Sequence, residues 1–584
     1  MPPFLYVCFM NIRVLLSLVY VFATLGLFGQ WTELDTLKPS SSFLSTEDSV
    51  LRFIQPSQSI VPSVAATEGG LLNPLSVYQP MGTLLHPKAL RENSLQFSAL
   101  PFLGFAYAFG TQGSQHMKFN YAQAFRHGLV FNVDYLAHGS NGFIRNNSWS
   151  NRDYMFKFAK VTGRYQAQIN AHGMHDYRQF SGGLLIDSLA NDFSLNLLPV
   201  RKDSCASTWK MKQIQVKQAI NFLKDSSQFF GLYDNASLRA SERNYMEYDS
   251  LYALYPAWYI DSNSTNDRYE WVSLRHEGGL GLKFNRIKAQ LGGVVEYWRM
   301  RMMGSQRDTL ELGLNGVLNF QGSNWKAKLS AEQNISGAFK AFDYNGHLLV
   351  SLGHNHTLNV KGGYAALAPD VFQRTYLGNT LQYQLLNPQL QQVVSASLLL
   401  DGKVFGLDYS LKISGLNTKG VYQFTGLIWQ NQSNISSQQL LVGSGSINKL
   451  WKGLRIGVLA QVLLQQNAVF PASTVGVNLG YSGYITKSKS LYFFSSVNYR
   501  YISGYKPLSI LPQLSLISLS TQGNSVYDLH SLTMLIGFKV KTFRFFFSGA
   551  NIGTLWMPKD QPLYDHLPIP SFQLQVGISW EFWN

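Results

Sequence analysis

Apolar and polar side chains alternate with a period of two residues from about Gln96 to the C-terminus. A β-strand points successive side chains to opposite faces, so each such segment presents one face to an apolar medium and the other to water. The last segment is the clearest, and its apolar residues are Phe572, Leu574, Val576, Ile578, Trp580 and Phe582. The same alternation recurs at 161–172, 405–414, 454–465, 474–485 and 491–501, each about as long as a tilted strand needs to cross a bilayer.

This pattern predicts an all-β fold, a transmembrane antiparallel β-barrel over residues 95–584. Counting segments gives about 16–22 strands, because breaks in phase near 210–216 and 285–287 fit either bulges or turns. Asp401-Gly402 and Asn345-Gly346 predict short hairpin turns on the inner side of the membrane. Longer connections are expected on the outer side, at about 177–206, 232–266, 366–391 and 503–526.

The N-terminal sequence predicts a targeting segment followed by a leader. Asn11-Ile12-Arg13 and the apolar run 14–28 predict a signal peptide over residues 1–30, and Met10 is an alternative start. A single membrane anchor is the less favoured interpretation, because the run is short and lacks a basic flank. Residues 31–94 are rich in Ser, Thr and Pro, and they predict a disordered or extended periplasmic leader of low order; a small plug domain is the alternative.

The composition supports a barrel more than a soluble protein or a helical membrane protein. Charged residues make up 14% of the chain and hydrophobic residues 46%, whereas soluble proteins carry about 25% charged residues. Past the N-terminus no apolar run reaches the length of a membrane-spanning helix. A secreted β-sandwich or propeller would also alternate, but it would carry more charge on its polar face, and no propeller repeat is visible.

The net charge of +15 bears on the partners of the chain. Its basic residues are scattered instead of clustered, which disfavours nucleic-acid binding. A lumen that favours anions, or contact with lipopolysaccharide phosphates, explains them better. The basic residues on polar phases of the pattern are the predicted pore-lining residues: Arg164, Lys283, Lys326, Lys328, Lys412, Arg455, Arg500 and Lys539.

Motifs for chemistry are missing from the sequence. It contains no GxSxG, GxxxxGK[ST] or HExxH motif. Cys8 falls in the targeting segment, which leaves Cys205 without a disulfide partner. His354 and His356 could hold a metal ion if both pointed inward, but a polar turn is the favoured interpretation. We therefore expect no enzymatic activity, cofactor or metal site.

A family resemblance adds to this interpretation. The segment from Gly128, with its loop Gly142-Phe143-Ile144-Arg145-Asn146, resembles the "putative porin" family of Bacteroidetes outer-membrane β-barrels. Asn196–Val200 and Trp209–Lys212 are similar to a later stretch of that family. The likeness is best over about 95–225. It implies a porin-like barrel in the outer membrane of a Gram-negative bacterium, and it identifies no substrate.

The functional expectation is passive diffusion of small hydrophilic solutes through the lumen, with a mild preference for anions. The expected partners are outer-membrane lipid, lipopolysaccharide and the barrel-assembly machinery, which recognises an aromatic-terminated last strand; the oligomeric state stays open. The alternative is a non-porin barrel, either a hydrophobic-ligand transporter or a subunit of a secretion or surface-assembly machine. An outer-membrane hydrolase is a third class, disfavoured by the missing motifs.

Overall fold

The structure is a computed structural model in which most of the chain from Leu95 onward is described. The described residues are 34–36, 95–161, 164–223, 228–249, 255, 258–353, 355–369, 371–385, 388–420, 422–425, 428–431, 438–464, 471–505, 507–514, 516–519, 526–556 and 562–583. The predicted signal peptide, and the leader apart from residues 34–36, lie outside this set, so both stay predictions.

Twenty-two antiparallel strands close into a single barrel, and we number them β1–β22 in chain order. The predicted all-β barrel is confirmed, at the upper limit of the expected strand number. The bounds are Phe102–Gly110, Ser114–Ala124, Leu129–Ser140, Trp149–Lys160, Tyr165–Gln179, Cys205–Asn221, Phe229–Glu247, Thr265–Phe284, Ile287–Met302, Ser305–Gln321, Trp325–Ser336, Phe342–Leu352, His356–Leu367, Gln391–Val404, Leu407–Lys419, Gln438–Trp451, Leu454–Leu463, Ser473–Tyr484, Tyr492–Tyr505, Tyr527–Val540, Phe543–Ala550 and Gln573–Trp583.

The last strand closes the barrel against the first. Strand β22 pairs with β1 from Phe102↔Trp583 to Gly110↔Gln575, and with β21 on its other side. Closure leaves no strand edge exposed to pairing with another chain. Leu574, Val576, Ile578, Trp580 and Phe582 lie on the outward face of β22, whereas Phe572 precedes the strand.

The barrel wall has the two faces that the alternation predicts. On β4 the inward side chains Asn151, Asp153 and Lys157 are buried, while Tyr154 and Phe156 on the other face are exposed. Residues directly opposite each other on paired strands share a face, so the register carries this assignment around the whole barrel. The outward face therefore bears the apolar band and the lumen bears the polar side chains, the arrangement typical of membrane-embedded barrels.

The two ends of the barrel differ in the length of their connections. At one end, the short-turn end, neighbouring strands are joined by tight turns such as 285–286, 405–406, 452–453 and 541–542. At the other, the long-loop end, most connections are longer, although 111–113, 303–304 and 337–341 are short. Both ends of the barrel sequence lie at the short-turn end. The longest connections are 180–204, 248–264, 368–390, 420–437, 506–526 and 551–572.

Two predicted hairpin turns are wrong. Asp401-Gly402 lies within β14 and Asn345-Gly346 within β12, each hydrogen-bonded to strands on both sides. The turn after β14 is instead Phe405-Gly406, where φ is +49° and +72°. Positive φ at both central residues suits a two-residue hairpin, and the flanking pairing overrides the turn preference of Asp-Gly.

The loops at the long-loop end hold short secondary structures of their own. No helix among the described residues is long and apolar enough to cross a membrane. The short strands are Thr375–Leu377, Gln382–Gln384, Tyr422–Thr425, Ile428–Asn431, Leu508–Leu511, Leu516–Leu519, Pro562–Tyr564 and Leu567–Pro568, and the one α-helix described is Val371–Arg374. Single 3-10 turns in the described connections are Thr111–Gly113, Arg126–Gly128, Asp187–Ala190, Leu195–Leu197 and Ile552–Leu555.

A short segment before the barrel lies in the lumen at the short-turn end. Leu95–Phe97 pairs in parallel with Leu34–Thr36. The backbone N–H of Gln96 donates to Asn132 Oδ1 (2.8 Å), and Asn132 Nδ2 donates back to the Gln96 carbonyl (2.8 Å). Since Asn132 faces inward, these bonds hold the segment against the inner wall.

Candidate functional site

The loops at the long-loop end fold over the lumen. One apolar cluster joins side chains of four connections, with members such as Phe143, Leu184, Leu198 and Tyr564. A second cluster packs Tyr376, Leu381 and Leu514 from two loops against wall residues that include Tyr269 and Met300. We call the connections 180–204, 368–385, 507–514 and 562–572 the loop cap. The apolar side chains of the loop cap are buried against the inner wall, and this burial stabilises the inward position of the loops.

Arg243 ties the loop cap to the wall. Its side chain faces inward from β7 and is 2% exposed. Nη1 donates to the Leu514 carbonyl (2.7 Å), and Nη2 donates to the carbonyls of Gln513 (2.6 Å) and Pro512 (3.2 Å). Hydrogen bonds from a charged donor are stronger than neutral ones, and a guanidinium offers donors in a rigid fork. Arg243 therefore fixes the tip of the connection between β19 and β20.

A second polar anchor surrounds Glu247 at the top of β7. This buried carboxylate accepts hydrogen bonds from Lys202 Nζ (2.8 Å), Tyr245 OH (2.6 Å) and Tyr255 OH (2.7 Å). Burial by itself lowers the pKa of Lys202, but the attraction of Tyr255, Cys205 and Glu247 outweighs it and raises the pKa overall. Lys202 thus stays charged and holds the connection between β5 and β6 against the wall.

The connection between β13 and β14 is fixed to β8 in a similar way. The buried carboxylate of Asp267 accepts hydrogen bonds from the Asn379 backbone N–H (2.9 Å) and from Tyr376 OH (3.1 Å). Asn379 Nδ2 in turn donates to the carbonyls of Asp261 (2.7 Å) and Ser264 (2.9 Å). Each of these loops is held by a buried polar contact as well as by apolar packing.

Below the loop cap, the wall from β5 to β7 carries a chain of side-chain amides. Gln168 Nε2 donates to Asn170 Oδ1 (2.7 Å), Asn170 Nδ2 to Gln215 Oε1 (3.1 Å), and Gln215 Nε2 to Asn235 Oδ1 (3.0 Å). Linked amides satisfy one another, and the same part of the wall also carries the inward cations Lys217 and Arg239.

Positive charge is also present on the wall between β11 and β15. Lys328, His347 and Lys361 lie side by side on β11, β12 and β13. Together with Lys326 and Lys412 on the same inward face, the lysines form what we call the lumen basic stretch: Lys326, Lys328, Lys361 and Lys412. Lys326, Lys328 and Lys361 are exposed to the lumen. Within the part of the chain that the structure describes, none of these four lysines is in an ion pair.

Three of the inward acids, Glu296, Glu332 and Glu581, are in ion pairs with arginines. Glu332 accepts from Arg275 Nη2 (2.9 Å), and the same guanidinium reaches Glu296 (3.2 Å). Glu581 accepts from Arg544 (2.9 Å). Because the lumen basic stretch is in no ion pair, this part of the wall offers accessible positive charge to a solute.

The structure places seven of the predicted pore-lining residues on inward-facing strand positions: Lys283, Lys326, Lys328, Lys412, Arg455, Arg500 and Lys539. Arg164 is different, because it lies in the turn before β5 and is exposed there. Whether any of these residues contacts a solute stays a prediction. Sequence reasoning missed Lys361, although it occupies the polar phase of the alternating segment His356–Leu367.

His354 and His356 are the two histidines that the sequence offers for a metal ion. His356 Nδ1 lies 2.9 Å from Tyr409 OH, and His354 is outside the described residues. Across the described ranges, no three His, Cys, Asp or Glu side chains gather in a way that could hold a metal ion.

One ionisable pair lies on the outward face, in the middle of the apolar band. His276 Nε2 is hydrogen-bonded to Asp234 Oδ1, and Asp234 is 7% exposed. The outward residues above and below the pair, among them Leu274, Leu280 and Leu232, are apolar. Each of the two side chains therefore satisfies the other within the apolar band, and removal of one would leave the other without its partner in an apolar surrounding.

We expect His276→Leu to destabilise the barrel by about 2 kcal/mol, because Asp234 then loses its partner within the apolar band. The double variant His276→Leu/Asp234→Leu should recover most of this loss, since no charge is left behind. Thermal unfolding midpoints of the refolded protein in one detergent check both variants. A double variant less stable than His276→Leu alone would contradict the explanation.

The fold and the lumen define the class of protein: a large single-chain antiparallel β-barrel with a polar interior. The sequence matches the family described as "Putative porin" over residues 85–584, and the chain belongs to that family. A search of the curated proteins finds no match.

Solved structures similar to this chain are large receptor barrels. The siderophore receptor PirA from Acinetobacter baumannii is 10% identical, with 84% of this chain and 81% of that chain covered and a TM-score of 0.58. A ferric enterobactin receptor (PfeA) mutant from Pseudomonas aeruginosa, in complex with enterobactin, is 11% identical, with 84% and 82% covered and a TM-score of 0.58. The FrpB iron transporter from Neisseria meningitidis is 9% identical, with 83% and 82% covered and a TM-score of 0.56. At these identities the likeness establishes the fold alone.

Proposed function

We propose that this chain is an outer-membrane channel of a Gram-negative bacterium through which small hydrophilic solutes diffuse, with a mild preference for anions. The observation that carries the proposal is the lumen basic stretch: its four lysines face the lumen and, among the described residues, are in no ion pair, while the inward acids Glu332 and Glu581 are paired. A pore selects ions by its diameter and by the field of the charges on its wall. The proposal includes no enzymatic activity, cofactor or nucleic-acid partner.

The orientation in the membrane follows from the two ends of the barrel. Bacterial barrels place short turns on the periplasmic side and long loops outside. The short-turn end is therefore the periplasmic end, and the loop cap faces the exterior. In this orientation the barrel-assembly machinery would recognise the outward residues of β22 between Leu574 and Phe582. Lipid and lipopolysaccharide would surround the outward face of the barrel.

Planar-bilayer recordings test the proposed channel. Refolded protein is inserted in a potassium chloride gradient, and the reversal potential is measured. We expect discrete conductance steps and a reversal potential shifted toward that of chloride. A shift toward potassium would contradict the anion preference, and the complete lack of conductance steps would contradict the channel.

The loop cap favours a second candidate, a transporter that binds its ligand before passage. Barrels of about 22 strands in outer-membrane transporters have a plugged lumen. The similar receptors are named for siderophores and iron transport, which makes a ferric siderophore a suitable first ligand to try. Saturable binding of ferric enterobactin by protein without conductance steps would support this candidate. Conductance steps without such binding would support the open channel.

A further inference from the structure

A second group of positive charges lies on the outside of the barrel, far from the lumen basic stretch. Arg152 on β4 pairs in register with His175 on β5, and His175 pairs with Lys210 on β6. Lys212 is the next outward residue on β6. Arg152, Lys210 and Lys212 are exposed, and His175 is partly buried. We call these four residues the outer basic patch.

The outer basic patch borders the apolar band on the side of the long loops. Directly toward the short-turn end, the same outward faces carry Phe156 and Phe158 on β4, Ile169 on β5 and Ile214 on β6, all exposed. Tyr154 lies between the two zones, with its ring against Gly173. A Tyr at this level is typical of a membrane–water boundary. The patch therefore lies where the polar groups of the outer leaflet begin.

Arg152 and Lys210 are the two cations of the outer basic patch that flank His175 on the neighbouring strands. Neighbouring strands lie about 5 Å apart, so the charges of Arg152 and Lys210 repel each other across about 10 Å, on either side of His175. Glu242 is opposite Lys210, but Arg268 on its other side already holds it (3.3 Å) and also holds Glu270 (2.6 Å). Among the described residues, neither Arg152 nor Lys210 is in an ion pair. An anion bound between these strands would remove the repulsion.

We propose that the outer basic patch binds the phosphate groups of a lipopolysaccharide lipid anchor, with its acyl chains along Phe156, Phe158, Ile169 and Ile214. Basic side chains at a membrane surface attract anionic lipid head groups. A membrane-anchored phosphate fits better than a free one, because the patch is continuous with the exposed apolar side chains below it. The inference rests on the proposed outer-membrane location, but it does not depend on solute conduction.

Native mass spectrometry of the refolded full chain with purified lipid A tests this site. We expect the wild type to retain lipid A, and Arg152→Gln/Lys210→Gln to bind it about thirtyfold more weakly, since each of the two surface charges contributes about a fivefold factor. The matched control is Lys487→Gln/Lys489→Gln, which removes two exposed charges at the short-turn end and should bind like the wild type. Heat-modifiable gel mobility establishes that every variant is folded.

Three comparisons decide between the possible outcomes. Enzymatic removal of the phosphates from lipid A should weaken its binding to the wild type. The remaining affinity should equal the affinity of intact lipid A for Arg152→Gln/Lys210→Gln. Inorganic phosphate at the same concentration should not displace lipid A; displacement would mean that the site takes free phosphate, and the proposal would be overturned. Equal binding of lipid A by wild type and Arg152→Gln/Lys210→Gln would also overturn it. Conductance recorded in parallel separates a failure here from a failure of the channel.

Discussion

Replacing Arg243 with methionine should release the loop cap and raise the single-channel conductance at least about twofold, because the path at the long-loop end widens. The methionine keeps the apolar volume of the side chain but removes three hydrogen bonds to the carbonyls of Pro512, Gln513 and Leu514. Those carbonyls are then left buried without a charged donor, which disfavours the inward position of the loop. Planar-bilayer recordings of the refolded variant give the measurement.

Arg239→Gln is the matched control for Arg243→Met. Arg239 lies on the same face of the same strand, closer to the middle of the barrel, and makes no hydrogen bond to Pro512, Gln513 or Leu514. It should therefore leave the conductance unchanged or alter it by less than Arg243→Met does. Equal conductance of the wild type and Arg243→Met would contradict the role of Arg243 as the anchor of the loop cap.

Reversing the charge of the lumen basic stretch should change the sign of the ion selectivity. In Lys328→Glu/Lys361→Glu/Lys412→Glu, three exposed or half-exposed cations become anions on one side of the lumen wall, so the local field changes sign. We expect the reversal potential in a potassium chloride gradient to move from the chloride side to the potassium side. The shift should shrink at high salt, because ions screen these charges.

A variant that changes charges outside the lumen is the control for the triple variant. Lys487→Glu/Lys489→Glu alters the exposed turn between β18 and β19 at the short-turn end. This variant should shift the reversal potential much less than the triple variant, since its charges lie in bulk water outside the lumen. Equal shifts from both variants would mean that the lumen basic stretch does not set the selectivity.

The sequence predicts strand faces well wherever one face meets an apolar medium. Val576 and Gln575 show the pattern, because one points outward and the other is 3% exposed on the inner side. The prediction fails where strands extend beyond the apolar band. Residues 232–247 were expected in an outer loop, but they belong to β7. Around Glu242, Arg243 and Asn244 both faces are polar, so the period of two disappears although the strand continues.

The candidate site was only partly predictable, because its ion pairs join residues that are far apart in the sequence. Lys326, Lys328 and Lys412 could be assigned to the polar phase from their own segments. The pairing of Arg275 with Glu332 and of Arg544 with Glu581, which offsets the charge of these two inward acids, joins residues on different strands. The local alternation of side chains does not predict which acid forms an ion pair with a basic residue.

By itself the sequence determined the fold class and the face of each well-patterned strand, because side-chain alternation is a property of the local backbone. The tertiary structure decided that β1 closes on β22 and that the strands number twenty-two, since both depend on pairing between distant segments. It also decided the place of the loop cap. Arg243 and Leu514 are far apart in sequence, and only the closed barrel brings the guanidinium to that carbonyl.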